Sequence, residues 1–184
     1  MGTRFLKVSF SYLGLLSVLW LKKEISIAYM LYLPLLILPK AQWGKYGIKI
    51  KGWKYDLKLF TLASLLFLLP FAILSIELSL SKGFKRIPLT FVLYQFLGAA
   101  LPEEVFFRGY LQTEIKELTR NKWISILLTS LLFMLAHLFK GINFLSLGVF
   151  FPSLVFGYLR EKTGSILASI LFHALSNVIF FSLF

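Results

Sequence analysis

The chain has 184 residues and 21.2 kDa, the size of one domain. Of these residues 58% are hydrophobic, 20 are Phe, and the mean hydropathy is +0.80. Only 15% are charged, against about a quarter in a soluble domain. A globule this small could not hide so much apolar surface from water. The balance excludes an ordinary soluble enzyme, a disordered tail and, despite a net charge of +12, a nucleic-acid module. It points to an integral membrane protein.

Apolar stretches set off by charges predict an all-α, polytopic transmembrane bundle of about seven spans. The first two, about Val8–Leu21 and Ile25–Pro39, are separated by Lys22, Lys23 and Glu24 alone and form a tight hairpin. No small-residue cleavage site follows the first, so it reads as a retained anchor rather than a removed signal. A basic loop, Lys40–Lys58, interleaves Lys with Trp43, Tyr46, Trp53 and Tyr55, the composition of a membrane interface facing anionic headgroups. The third span is about Leu59–Leu80, followed by Lys82–Arg86. The fourth starts near Pro88 and runs to about Leu111, ended by a polar stretch, Thr113–Lys122. The fifth, about Trp123–Leu138, turns at Lys140–Asn143 into the sixth, about Phe144–Leu159. Arg160–Gly164 breaks that, and the seventh is about Ser165–Phe184. Loop Lys and Arg divide thirteen against six between the two sides. By the positive-inside rule the N-terminus is then cytoplasmic and the C-terminus outside.

Ionisable groups inside apolar spans are costly and mark function by default. The fourth span reads Leu101-Pro102-Glu103-Glu104-Val105-Phe106-Phe107-Arg108. Pro102 removes a backbone donor, so the helix is expected to kink or restart there and to place both carboxylates in a first turn that favours anions. Glu104 and Arg108, four apart, can pair on one face. Neighbouring residues diverge by about 100°, which leaves Glu103 to face a different target. The fifth span carries His137. The seventh carries His173 with Asn177 one turn on, joined on that face by Ser169 and Ser176. Measured from the cytoplasmic span ends, Glu103 and His173 lie roughly 12–13 Å deep, Asn177 roughly 18 Å and His137 roughly 21 Å. All four fall within an apolar layer about 30 Å thick.

A buried carboxylate can take a proton from water, an imidazole can share that role, and a second His with an Asn amide can hydrogen-bond a developing oxyanion. Those groups suffice for amide hydrolysis. Glu103, His137, His173 and Asn177 also offer two N and two O ligands to a zinc-like ion, and the sequence leaves both uses open. Other designs fall away. The chain has no Cys, a single Asp (Asp56), no His-Glu-x-x-His helix and no Gly-x-Ser-x-Gly elbow.

The ordered set Glu103-Glu104-x-x-x-Arg108, Phe133-x-x-x-His137 and His173-x-x-x-Asn177 resembles the three motifs of the CPBP intramembrane proteases. These are also called the Abi family, and include type II CAAX prenyl endopeptidases and bacteriocin-processing or immunity proteins. The resemblance covers about residues 84–184 as a catalytic core, with about 1–82 as N-terminal spans of the same membrane domain. It implies that Glu103 with His137 activates water, that His173 and Asn177 hold the oxyanion, and that Glu104 and Arg108 support them. The family is often labelled metalloprotease, so zinc is the cofactor it brings into question. The implied function is an intramembrane endopeptidase acting on prenylated (CAAX-like) or other membrane-associated peptides in a prokaryotic cell membrane. Its partners would be membrane lipids and a peptide or lipidated-peptide substrate, with no nucleic acid. The alternative is a non-enzymatic bacteriocin-immunity or scaffold membrane protein.

Overall fold

The computed structural model describes residues 2–49, 51–79, 87–139 and 141–183. The basic turn expected at 82–86 and Lys140 lie outside the described residues. Among those described, every regular element is helical. The hairpin is α1 (Gly2–Leu21) and α2 (Lys23–Ile37). Helix α3 joins Trp53–Ala63, a π-helical Ser64–Leu68 and Leu69–Ser79. Helix α4 strings together Leu89–Tyr94, a π turn at Gln95–Ala100, Leu101–Glu104, a second π stretch at Val105–Leu111, and Gln112–Thr119. Then come α5 (Lys122–Leu138), a short α6 (Phe144–Gly148), α7 (Phe150–Thr163) and α8 (Leu167–Leu183).

Large apolar side chains cover much of the exterior, and several polar ones are buried beside the apolar core. On α1 the buried residues are Ser11, Tyr12 and Leu15, while Phe10, Leu13 and Trp20 point outward. On α3 Leu65, Leu66 and Leu74 are more than half exposed. So many exposed large apolar side chains, with polar groups buried in the core, suit a hydrocarbon surround better than water. Two helical stretches, Gly2–Leu21 and Trp53–Leu74, are long and apolar enough to cross a bilayer, and Glu24–Ile37, Lys122–Leu138 and Leu167–Ser182 are shorter apolar helices.

Helix α4 is the axis, packed on by α1, α2, α5, α7 and α8. It does not restart at Pro102. Ala100, Leu101 and Val105 keep right-handed α torsions, and the Leu101 N–H reaches back to Phe96 O in π register. Glu103 and Glu104 therefore sit mid-helix, and their stabilisation comes from side chains rather than from the first-turn N–H groups expected at a restart. The fourth segment also does not end at Leu111. The polar stretch after it continues the helix, because Gln112, Thr113, Glu114 and Ile115 are buried against partners. Arg120, in the left-handed region (φ 53°), closes it, its N–H donating to Lys116 O at 2.8 Å. Likewise α7 runs through the expected break at Arg160. It stops at Gly164 (φ 66°), whose N–H donates to Arg160 O at 3.0 Å.

The basic loop is partly structure rather than a solvated tail. Its last residues open α3, and the sole Asp, Asp56, is buried in that first turn. Tyr46 is buried, Arg160 Nη2 donates to Lys45 O at 2.8 Å, and Ile166 N–H donates to Gly47 O at 3.0 Å. Gly47 is required where it stands: its φ is +75°, and an added Cβ would meet the Arg160 guanidinium at 2.7 Å.

Candidate active site

Arg108 is fully buried, and the packing around it explains how a guanidinium survives there. Its Cζ lies 4.5 Å from the ring centroid of Phe133 on α5 and 4.8 Å from that of Phe156 on α7, a cation between two aromatic faces. Nη1 donates to Glu104 Oε1 at 3.0 Å, and Nη2 donates to Ser153 Oγ at 2.6 Å and to Ser153 O at 3.3 Å. The i,i+4 pair on α4 is thus tied to α7.

His173 on α8 completes the cluster. Its Nδ1 lies 2.9 Å from the same Glu104 oxygen. A carboxylate held by Arg108 accepts, so Nδ1 carries the proton and donates. The ring stacks on Phe156 at 4.6 Å and meets Phe133 edge-on at 5.8 Å. Its other nitrogen, Nε2, lies 3.7 Å from Glu103 Oε2, an ion-pair distance short of a hydrogen bond. The expectation that the adjacent carboxylates must face different targets is therefore overturned. An imidazole presents its two nitrogens on different edges, so two diverging carboxylates reach one ring.

His137, half-buried in the last turn of α5, packs tilted against the Phe133 ring at 4.5 Å. Its Nδ1–H donates to Phe133 O at 2.9 Å, which leaves the lone pair on Nε2. Phe133 is thus the shared wall between His137, His173 and Arg108. Asn177, half-buried one turn beyond His173, donates Nδ2–H to Gln95 Oε1 at 3.0 Å. Ser169 is buried and pins α8 to α7 by donating to Phe156 O at 2.8 Å, whereas Ser176 turns back on His173 O of its own helix.

Glu103, Glu104, Arg108 and His173 are brought into one chain of contacts, with His137 and Asn177 on its border. Gln95, Ser153 and Phe156 contact Asn177, Arg108 and His173, and a reading of ionisable groups alone does not point to them. Polarity inside an apolar span was the available signal for Gln95 and Ser153; for Phe156, one among 20 Phe, there was none. Among the described residues no three His, Asp or Glu side chains gather as metal ligands. Both imidazoles direct Nδ1 at protein oxygens, which leaves Nε2 of each as the atom that would face a metal, the orientation that zinc-ligating histidines commonly have.

Helices throughout the described residues, a largely apolar exterior and a buried Glu–Arg–His cluster define a membrane-embedded helical protein with a polar site in its core. A family model described as type II CAAX prenyl endopeptidase Rce1-like matches residues 85–179. The chain belongs to that family of CAAX-type proteases. No curated protein and no solved structure matches it.

Proposed function

We propose that the chain is a glutamate-dependent intramembrane endopeptidase whose seven longer helices cross the membrane with the N-terminus cytoplasmic. Its substrate is the C-terminal part of a prenylated or other membrane-associated peptide. The observation that carries this reading is the buried Arg108–Glu104–His173–Glu103 sequence of contacts.

Glu103, with His137, takes a proton from water as its oxygen attacks the peptide carbonyl carbon. The carbonyl oxygen gains charge. His173, in the imidazolium form with its Nδ1–H committed to Glu104, offers Nε2–H to that oxygen, and Asn177 offers the amide N–H not engaged by Gln95. The C–N bond then breaks, the proton passes from Glu103 to the departing amine, and two peptide fragments leave. Glu104 and Arg108 touch no reacting atom and act by fixing the imidazole.

Purified Glu103→Ala and His173→Ala proteins are each expected to lose proteolysis of a lipidated peptide while keeping the wild-type elution profile in detergent. Full activity in either would overturn the assignment. Dialysis against a chelator is expected to leave turnover intact, and loss restored by zinc would replace water activation by Glu103 with a metal-bound nucleophile. If Glu103→Gln kept a protective effect in cells without cleaving peptide, the immunity or scaffold reading would take its place.

A further inference from the structure

On the face of α4 turned away from Arg108, the structure holds a cleft of about 520 Å³ between α1, α2 and the end of α4. It is a good size for a small-molecule site. Its lining comes from the start of α1, the end of α2 and the last turns of α4, all at one end of the bundle. Its walls are apolar, from Leu6 and Phe10 on α1 to Leu33 and Ile37 on α2. Its polar groups are few and specific. Lys7 lines the cleft and pairs with no carboxylate among the described residues, unlike Arg4 and Lys45, which both bridge to Glu117. Glu114 is 5% exposed and also lines it, anchored from behind by the Tyr46 hydroxyl. The Ser11 and Tyr110 hydroxyls, joined at 3.1 Å, form the inner wall and keep lone pairs to accept further bonds.

We propose that this cleft binds a membrane phospholipid with a primary-ammonium headgroup, of the phosphatidylethanolamine type. The phosphate meets Lys7, the ammonium meets Glu114 and the paired hydroxyls, and an acyl chain lies along the walls of α1 and α2. Charge complementarity selects this occupant. A headgroup that is only anionic would set its charge against Glu114, a nine-tenths-buried carboxylate whose repulsion water cannot screen. A quaternary ammonium would bring no N–H for the carboxylate and hydroxyls to accept. The proposal does not depend on the peptidase reading, because no residue of the cluster around His173 lines the cleft.

The test is native mass spectrometry of the full chain in detergent, with added phosphatidylethanolamine, phosphatidylcholine or phosphatidylglycerol of the same acyl chains. Phosphatidylethanolamine is expected to be retained about tenfold more tightly than either, the equivalent of one charge-assisted hydrogen bond. Glu114→Gln, which can still accept from Tyr46, is expected to erase the preference over phosphatidylcholine. Leu6→Trp, at an exposed position where the protein tolerates bulk, is expected to fill the cleft and weaken retention about tenfold. Equal retention of the three headgroups, or a Leu6→Trp protein that binds as wild type, would overturn the proposal and leave only general lipid contact. Lys7→Ala, on the exposed start of α1, gives a second variant whose unchanged retention would count equally against it.

Discussion

Arg108 fixes the electrostatics of the core because every strong contact around it is shared. Its Nη1 and the His173 Nδ1 both donate to one oxygen of Glu104, and its Nη2 holds Ser153. Removing it leaves the fully buried Glu104 carboxylate with the His173 imidazole as its remaining partner, and breaking such a buried ion pair costs about 3–5 kcal/mol. Arg108→Ala is therefore expected to lower the thermal midpoint in detergent sharply, and Ser153→Ala by a fraction of that. An Arg108→Ala protein as stable as wild type would show that the clamp contributes nothing. Tyr46 makes a second residue-level prediction. Burial, and then its hydrogen bond to Glu114, push its phenol well above the usual range. The folded state thus keeps a proton that the unfolded chain releases near pH 10. The stabilisation is complete below that pH and is lost as pH rises above it toward the folded value. Tyr46→Phe is expected to lower stability at neutral pH and to flatten its decline between pH 10 and 12, read from unfolding midpoints across pH.

At the scale of elements, α4 does two jobs in one helix. Its π stretches rotate successive side chains away from α spacing, so that Gln95 meets Asn177, Arg108 meets α7, and Tyr110 with Glu114 faces α1. Helix α7 must come close for Ser153 and Phe156 to reach the cluster, and Gly157 permits it. A Cβ there would stand 3.0 Å from Ile126 on α5 and 3.1 Å from Gln112 Oε1 on α4. The Gly157 carbonyl also accepts from Gln112 Nε2 at 3.0 Å. Gly157→Leu is expected to cost about 1–3 kcal/mol through overpacking and to lower turnover by shifting Phe156 from His173. Gly157→Ala, with one added carbon, is expected to fall between Leu and wild type. Equal midpoints for all three would show that the helices part without cost. The Gln95–Asn177 bond gives a further check. Gln95→Leu is expected to reduce kcat about tenfold, the value of one net hydrogen bond, with KM nearly unchanged.

For the whole molecule, the solvent decides what composition means. In water, 58% hydrophobic residues would aggregate; in hydrocarbon they form the surface, and the few polar groups are driven inward to satisfy one another. That made the helical architecture readable from apolar runs, and it made Glu103, Glu104, Arg108, His137 and His173 visible as charges out of place. The i,i+4 spacing of Glu104 and Arg108 was enough to pair them, because helix geometry is local. Sequence reading failed where polarity was taken as the end of a span. The polar stretch Thr113–Lys122 reads as the end of the fourth span, yet the helix runs on to Thr119, with Glu114 accepting from Tyr46 and Gln112 bonding α7. Those partners are 45 to 68 residues away, and no local pattern announces them. By itself, then, the sequence determined the solvent, the all-helical class and which few side chains carry a charge the bilayer would reject. Only the tertiary structure decided that both carboxylates approach the same imidazole, that Ser153 holds Arg108, Phe156 stacks on His173 and Gln95 meets Asn177, and that a largely apolar cleft lies on the far face of the same helix. These are long-range juxtapositions, fixed by how α5, α7 and α8 pack around α4 rather than by any spacing along the chain.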